Sequence, residues 1–130
     1  MKKTLTFLCL MFSINCISQT QVEMSRNAYA LFQSADKELN KVYTQILSDY
    51  KLDTLFIDNL KKAQGLWIQF RDAELDMKYP AYRGNHYGSI QPMCRALYLK
   101  ELTENRTETL KTWLTGIGEG DGCIGSVKTK

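Results

Sequence analysis

The chain has 130 residues, 44% of them hydrophobic and 24% charged, with a formal net charge of +3 at neutral pH. That length holds one domain with a modest core. The near-balanced charge excludes bulk electrostatic binding of nucleic acid or of an anionic membrane.

The chain opens MKKTLTFLCLMFSINCISQTQ. Lys2 and Lys3 form a basic leader, residues 5–17 form an apolar run, and Cys16-Ile17-Ser18 offers small residues at the positions a signal peptidase checks. The apolar run falls short of the roughly 20 residues a membrane-spanning helix requires. The expectation is a signal peptide over residues 1–18, cleaved after Ser18, and a protein that is periplasmic or secreted and not inserted in a membrane. Lipid anchoring at Cys16 is the less favoured alternative, because Asn15 fits a lipoprotein signal poorly. Cleavage leaves 130 − 18 = 112 residues and removes two lysines but no acid, so the net charge falls to 15 − 14 = +1.

Apolar residues then recur at helical spacing: Val22, Tyr29, Phe32, Leu39, Val42, Tyr43 and Ile46. They predict helix over residues 22–50, either continuous or divided at Ser34, a candidate cap. Asp49 to Asp53 breaks the run, and Asp53 is a good N-cap for a second helix over 54–78. Its stripe is Phe56, Leu60, Ala63, Trp67 and Phe70, and Pro80 limits it. The loop YPAYRGNHYG follows. Ser89 is the expected cap of a last helix ending near Leu114, with Pro92 tolerated in its first turn and Met93, Leu97, Leu102, Arg106, Leu110 and Trp113 along it. The tail, residues 116–130, is rich in glycine. The predicted fold is all-α: a small antiparallel bundle of three to four helices over residues 19–115, with a tail pinned by a disulfide. That disulfide is Cys94–Cys123, the two cysteines left in an oxidising compartment once Cys9 and Cys16 depart with the signal.

Two charges fall on apolar faces. Arg71 shares a stripe with Leu60, Trp67 and Leu75, and Asp36 lies between Phe32 and Leu39. On antiparallel helices turning near Leu52 the two sit within about one helical turn of each other, and side chains lean toward their helix N-termini, which closes the offset. The expectation is a register-setting Asp36–Arg71 ion pair without chemistry of its own. Gln64 and Asn40 are placed to satisfy the hydrogen-bonding groups left over.

Three stretches together, SADKELNKVY (34–43), AQGLWIQFRDAEL (63–75) and MCRALYLKELTENRTETL (93–110), resemble the motif series of the LprI-like lysozyme-inhibitor family. The positions that carry the resemblance are Ala35, Asp36, Leu39, Asn40 and Tyr43, then Ala63, Gln64, Trp67, Arg71, Asp72 and Ala73, then Cys94, Leu102, Thr103, Arg106 and Leu110. The resemblance implies a small secreted helical domain. Cysteines the family usually carries are replaced here by Asn27 and Leu75, missing together as expected of a lost pair.

Catalysis is not expected. His86 is the single histidine, with no nucleophile paired to it. Asp72, Glu74 and Asp76 make a solvated face at a helix end, Glu119 and Asp121 are too sparse for a calcium loop, and two thiols with one histidine make no zinc site. No cofactor is implied. The loop after the second helix is the candidate partner-binding site, through Tyr82, Arg83, His86 and Tyr87, since tyrosine and arginine are enriched in interface hot spots and loops on rigid scaffolds carry function. The function expected is a non-enzymatic protein-binding module, with lysozyme a possible partner. The alternative is a cell-envelope structural or stress-adaptation protein with no lysozyme target.

Overall fold

The computed structural model describes the backbone of residues 2–130 and the side chains of residues 20–130. The expected signal peptide over 1–18, with Cys9 and Cys16, lies outside the described side chains. Three helices follow in order: α1 (Lys2–Asp49), α2 (Thr54–Lys78) and α3 (Gln91–Thr115). α1 passes Ser34 without a break, so of the two readings of this region the continuous helix holds. Asp53 caps α2 through its carboxylate, whose Oδ1 accepts from the Phe56 amide at 3.0 Å. At α3 the cap is Ile90 and not Ser89, with no side-chain cap and Pro92 in the first turn.

Sequential helices are antiparallel, but α1 and α3 run parallel and approach each other far more closely than α2 approaches α3. The register is marked by Lys111 Nζ at 4.0 Å from Glu38 Oε1 and, further along both helices, by the Tyr50 hydroxyl donating to the Trp113 carbonyl at 3.1 Å. The closeness comes from small side chains. Ala28, Ala35 and Val42 on α1, and Ala96, Thr103 and Leu110 on α3, recur every seven residues and are buried. A seven-residue repeat keeps one seam facing a neighbouring helix. Leu39 and Ile46 complete the seam, and Tyr50, Leu60 and Leu110 close the core beside them.

α2 covers this pair with a mixed face of Leu60, Gln64, Trp67, Arg71 and Leu75, in which Leu60, Gln64 and Leu75 are buried. The sequence stripe through Ala63 and Phe70 is corrected here: Ala63 is exposed and Phe70 is 57% exposed. Each stands about 100° around the helix from an inward neighbour, Gln64 or Arg71, and turns out where one further residue turns in.

Among the described residues, one buried side-chain group lacks a partner. Thr103 is fully buried and its hydroxyl accepts and donates no hydrogen bond, whereas Thr107 Oγ1 donates to the Thr103 carbonyl at 2.8 Å. An unpaired buried hydroxyl costs free energy that an apolar group of the same shape does not. Thr103→Val should therefore raise stability by about 1 kcal/mol, read from urea unfolding. A loss of that size would show that the hydroxyl is satisfied in solution.

The tail is held without a disulfide, which corrects the Cys94–Cys123 pairing: both cysteines are free. The reason is geometric. Cys94 lies in the first turn of α3 and Cys123 beyond its far end, with about 31 Å of helix between Cys94 and Thr115. Eight residues of tail span at most about 26–29 Å even when extended, and this tail doubles back. Ile117 pairs with Thr129 in a parallel bridge, the Ile117 amide donating to the Lys128 carbonyl at 3.1 Å. Tyr50 takes the place of the disulfide. Its hydroxyl accepts from the Lys128 amide at 3.3 Å while donating to Trp113, the Lys128 ammonium lies 4.4 Å from its ring centroid, and Val127 is buried against the bundle. Gly116 starts the turn at φ 76°, where a Cβ would meet the Lys128 carbonyl at 2.8 Å.

Candidate functional site

The molecule has three regions of concentrated chemistry along its length. At its middle the residues of the three sequence motifs meet. The Arg71 guanidinium lies between two carboxylates: Nη2 is 2.8 Å from Asp72 Oδ1 and Nη1 is 3.8 Å from Asp36 Oδ1. It sits 5.4 Å from the Trp67 ring centroid and 6.0 Å from that of Phe32. Asn40 Nδ2 donates to Asp36 Oδ2 at 3.1 Å. Gln64, expected to serve the same pair, instead accepts from Arg106 Nε at 3.0 Å, because it faces α3.

Both carboxylates are part-exposed, Asp36 at 42% and Asp72 at 58%, against 15% for Arg71. The contact to Asp36 is the longer of the two, so solvent screens it and it holds little of the pairing. Asp36→Ala should then cost about 1 kcal/mol or less. Arg71→Ala should cost about 2–3 kcal/mol, because it also strips packing from Phe32 and Trp67. A double-mutant cycle on the two gives the coupling directly. A coupling above about 2 kcal/mol would show Asp36, and not Asp72, to be the principal partner.

The second region is the loop between α2 and α3, at one end of the bundle. It is an aromatic array. Tyr79 and Tyr87 meet edge to face at 5.6 Å, His86 lies 4.8 Å from Tyr87 and 4.9 Å from Tyr82, and Tyr82 and Tyr87 are 6.0 Å apart. Such contacts stabilise by about 0.5–1.5 kcal/mol each beyond burial. The array is bolted to the helices through Arg95, which donates to the Tyr79 carbonyl and to Asp76 Oδ1, both at 3.4 Å. Alongside, Lys78 Nζ stands 3.4 Å from the centroid of Tyr98, whose hydroxyl donates to Glu74. Gly84 and Gly88 adopt φ of 74° and 72°, the left-handed values that let so short a loop fold over itself.

Three of the four candidate binding residues, Tyr82, His86 and Tyr87, are brought into contact. Arg83 follows Tyr82 in the chain and makes no ring or polar contact with them, and the four differ in exposure. Tyr87 is half-buried, and burial, helped by the neighbouring Tyr82 hydroxyl, pushes its phenol above the usual value, so it remains neutral. Tyr82, Arg83 and His86 are exposed. Arg83 makes no hydrogen bond or ion pair with any described residue. Residues 77–90 contain no acid.

The third region, at the opposite end, was not singled out from sequence. It is a cavity of about 450 Å³ between α2, α3 and the tail, lined by Leu55, Phe56, Leu60, Ala63, Leu110 and Trp113 among others. Arg106 opens into it, and burial pushes its guanidinium below its usual value. The available signal was a second arginine on an apolar stripe with no acid to meet it. Among the described residues no three His, Cys, Asp or Glu side chains are grouped as a metal ion needs, and no helix is long and apolar enough to cross a membrane.

Comparison with known proteins agrees with the motif reading. The model of the family described as lysozyme inhibitor LprI matches residues 15–110, a range that takes in the last residues, 15–18, of the expected signal. An uncharacterized protein of Rhizobium meliloti (strain 1021) is 32% identical over 103 residues, covering 71% of this chain and 72% of that protein. No solved structure matches significantly.

Proposed function

This chain belongs to the lysozyme inhibitor LprI family, and on that premise we propose that it is a non-enzymatic protein acting in the periplasm or outside the cell, which blocks a lysozyme with the loop between α2 and α3. The observation that carries the reading is the exposed, unpartnered Arg83, next in the chain to Tyr82, in a loop whose rings pack on one another. A lysozyme cleft holds two carboxylates flanking the bond it cleaves. A loop that offers a forked cation and flat rings, and contains no acid, complements that cleft in charge. The rings supply contact area with few rotors to freeze, and the stacking within the array has already fixed them. The net charge of 15 − 14 = +1 that the chain carries once residues 1–18 are removed gives no long-range attraction to a basic lysozyme. Complementarity here is local, so association should proceed at an ordinary rate, about 10⁵–10⁷ M⁻¹s⁻¹.

Two measurements test this. Titration of the mature chain into a lysozyme acting on cell-wall fragments should give stoichiometric inhibition, competitive with a chitin oligosaccharide. Absence of binding at micromolar concentration to animal and phage lysozymes alike would turn the assignment to an envelope structural or stress-adaptation role. Mass spectrometry of exported protein should find a chain starting at Gln19. A diacylglyceryl mass on Cys16 would instead place the protein on a membrane surface by its lipid.

A further inference from the structure

We propose that the cavity at the tail end of the bundle is a ligand site for a small amphiphilic carboxylate, with the acid group on Arg106 and an apolar body running along α2 toward Phe56 and Trp113. α2 and α3 meet at Gln64–Arg106 and at Glu74–Tyr98. Nearer the start of α2 the rings of Tyr50, Phe56 and Trp113, at centroid separations of 4.6 and 6.3 Å, stand between the elements. The tail closes one side through Ser126, whose Oγ accepts from Trp113 Nε1 at 3.0 Å. The space left has the size of a small-molecule pocket, walled mainly by apolar side chains with few polar groups.

Arg106 is the feature that asks for an anion. Its Nε donates to Gln64 and its guanidinium lies 5.9 Å from the Trp67 centroid. Neither Nη atom has a hydrogen-bond partner or a carboxylate among the described residues. A half-buried guanidinium normally finds a carboxylate, as Arg71 does within the same bundle. The one carboxylate on the cavity wall, Asp53, already accepts the Phe56 amide as the helix cap. It is also about 16 Å along α2 from the residue that meets Arg106. A carboxylate at Arg106 would therefore be far from that acid and could take both Nη donors side by side. From Arg106 to Trp113 is about 10 Å along α3, which sets the length of the apolar body and favours a medium-chain fatty acid or an aryl carboxylate over a bare anion.

Decanoate is a suitable probe, and decanol, with the same apolar body and no charge, is its control. Calorimetry and tryptophan fluorescence on the mature chain should show decanoate binding one to one, at least tenfold tighter than decanol. Arg106→Gln should abolish that preference while leaving decanol binding unchanged. Ala63→Phe, which fills the cavity from its α2 wall, should block both ligands in a protein that still melts cooperatively. Equal affinity for decanoate and decanol on the unaltered chain would overturn the proposal. So would uptake at several unsaturable sites, or a folded Ala63→Phe protein that binds as before. Lysozyme inhibition plays no part in these readings, so the site stands or falls independently of the loop.

Discussion

Replacing Tyr50 with alanine should destabilise the protein by about 3–5 kcal/mol, the range for removing a large buried aromatic side chain. Tyr50 is 7% exposed, lies in the core, and stacks against Phe56 at 4.6 Å. Its hydroxyl joins the last turn of α3 to the returning tail, donating to the Trp113 carbonyl and accepting the Lys128 amide. Tyr50→Phe isolates that second role. It keeps the ring and strands one amide and one carbonyl, which costs about 1–3 kcal/mol if both stay dry. In the phenylalanine variant, amide exchange at Lys128 and proteolysis within residues 116–130 should speed up well before global unfolding. The cysteine supplies the contrast: Cys123→Ser should leave the melting temperature unchanged, because Cys123 is exposed and free. If Tyr50→Phe leaves tail exchange untouched while Cys123→Ser loosens it, the tail is fastened by a bond through that thiol and not by the tyrosine.

What could be learned from the sequence divides along physical lines. α2 was legible to the residue because both of its ends are chemical: Asp53 as acceptor for a free amide and Pro80 as an obstacle. Arg71 was legible because a guanidinium on an apolar stripe has few places to go. The α1–α3 seam was not. It is built from Ala28, Ala35, Ala96 and Thr103, whose size lets two helices approach, while the eye for a core looks for large residues. The apolar positions that stand out at helical spacing include Tyr29 and Leu97, which are 53% and 40% exposed. The disulfide failed for a related reason. Counting thiols says how many can pair, but only the rise of α3 says how far apart they are. Arg106 was read as one position on a stripe, because its meaning depends on which carboxylates three helices fail to bring near it. The motif residues Asp36, Gln64, Trp67, Arg71 and Arg106 are scattered over 71 positions of chain, yet they form one contiguous cluster joining all three helices.

The loop should separate binding from stability within four residues. Tyr82→Ala combined with Arg83→Ala should weaken lysozyme binding by at least about 2–3 kcal/mol, roughly 30- to 150-fold, as the loss of central interface anchors does. The pair should leave the melting temperature nearly unchanged, because both side chains are exposed and Arg83 holds nothing else in place. Tyr87→Ala should act differently. Tyr87 is half-buried and touches Tyr79, Tyr82 and His86, so its removal takes the floor from under the array. Stability should fall by about 1–2 kcal/mol, and affinity should fall with it as the loop loses its preset shape. Arg83→Lys refines the test. A lysine keeps the charge but not the planar fork, so a carboxylate gripped by two parallel hydrogen bonds would register the change, and one merely attracted by charge would not. Calorimetric affinity and thermal melts on the same three proteins settle the matter. If Tyr82→Ala with Arg83→Ala lowers the melting temperature while inhibition persists, the aromatic loop is a structural clasp for the α2–α3 turn and the lysozyme-binding face lies elsewhere on the bundle.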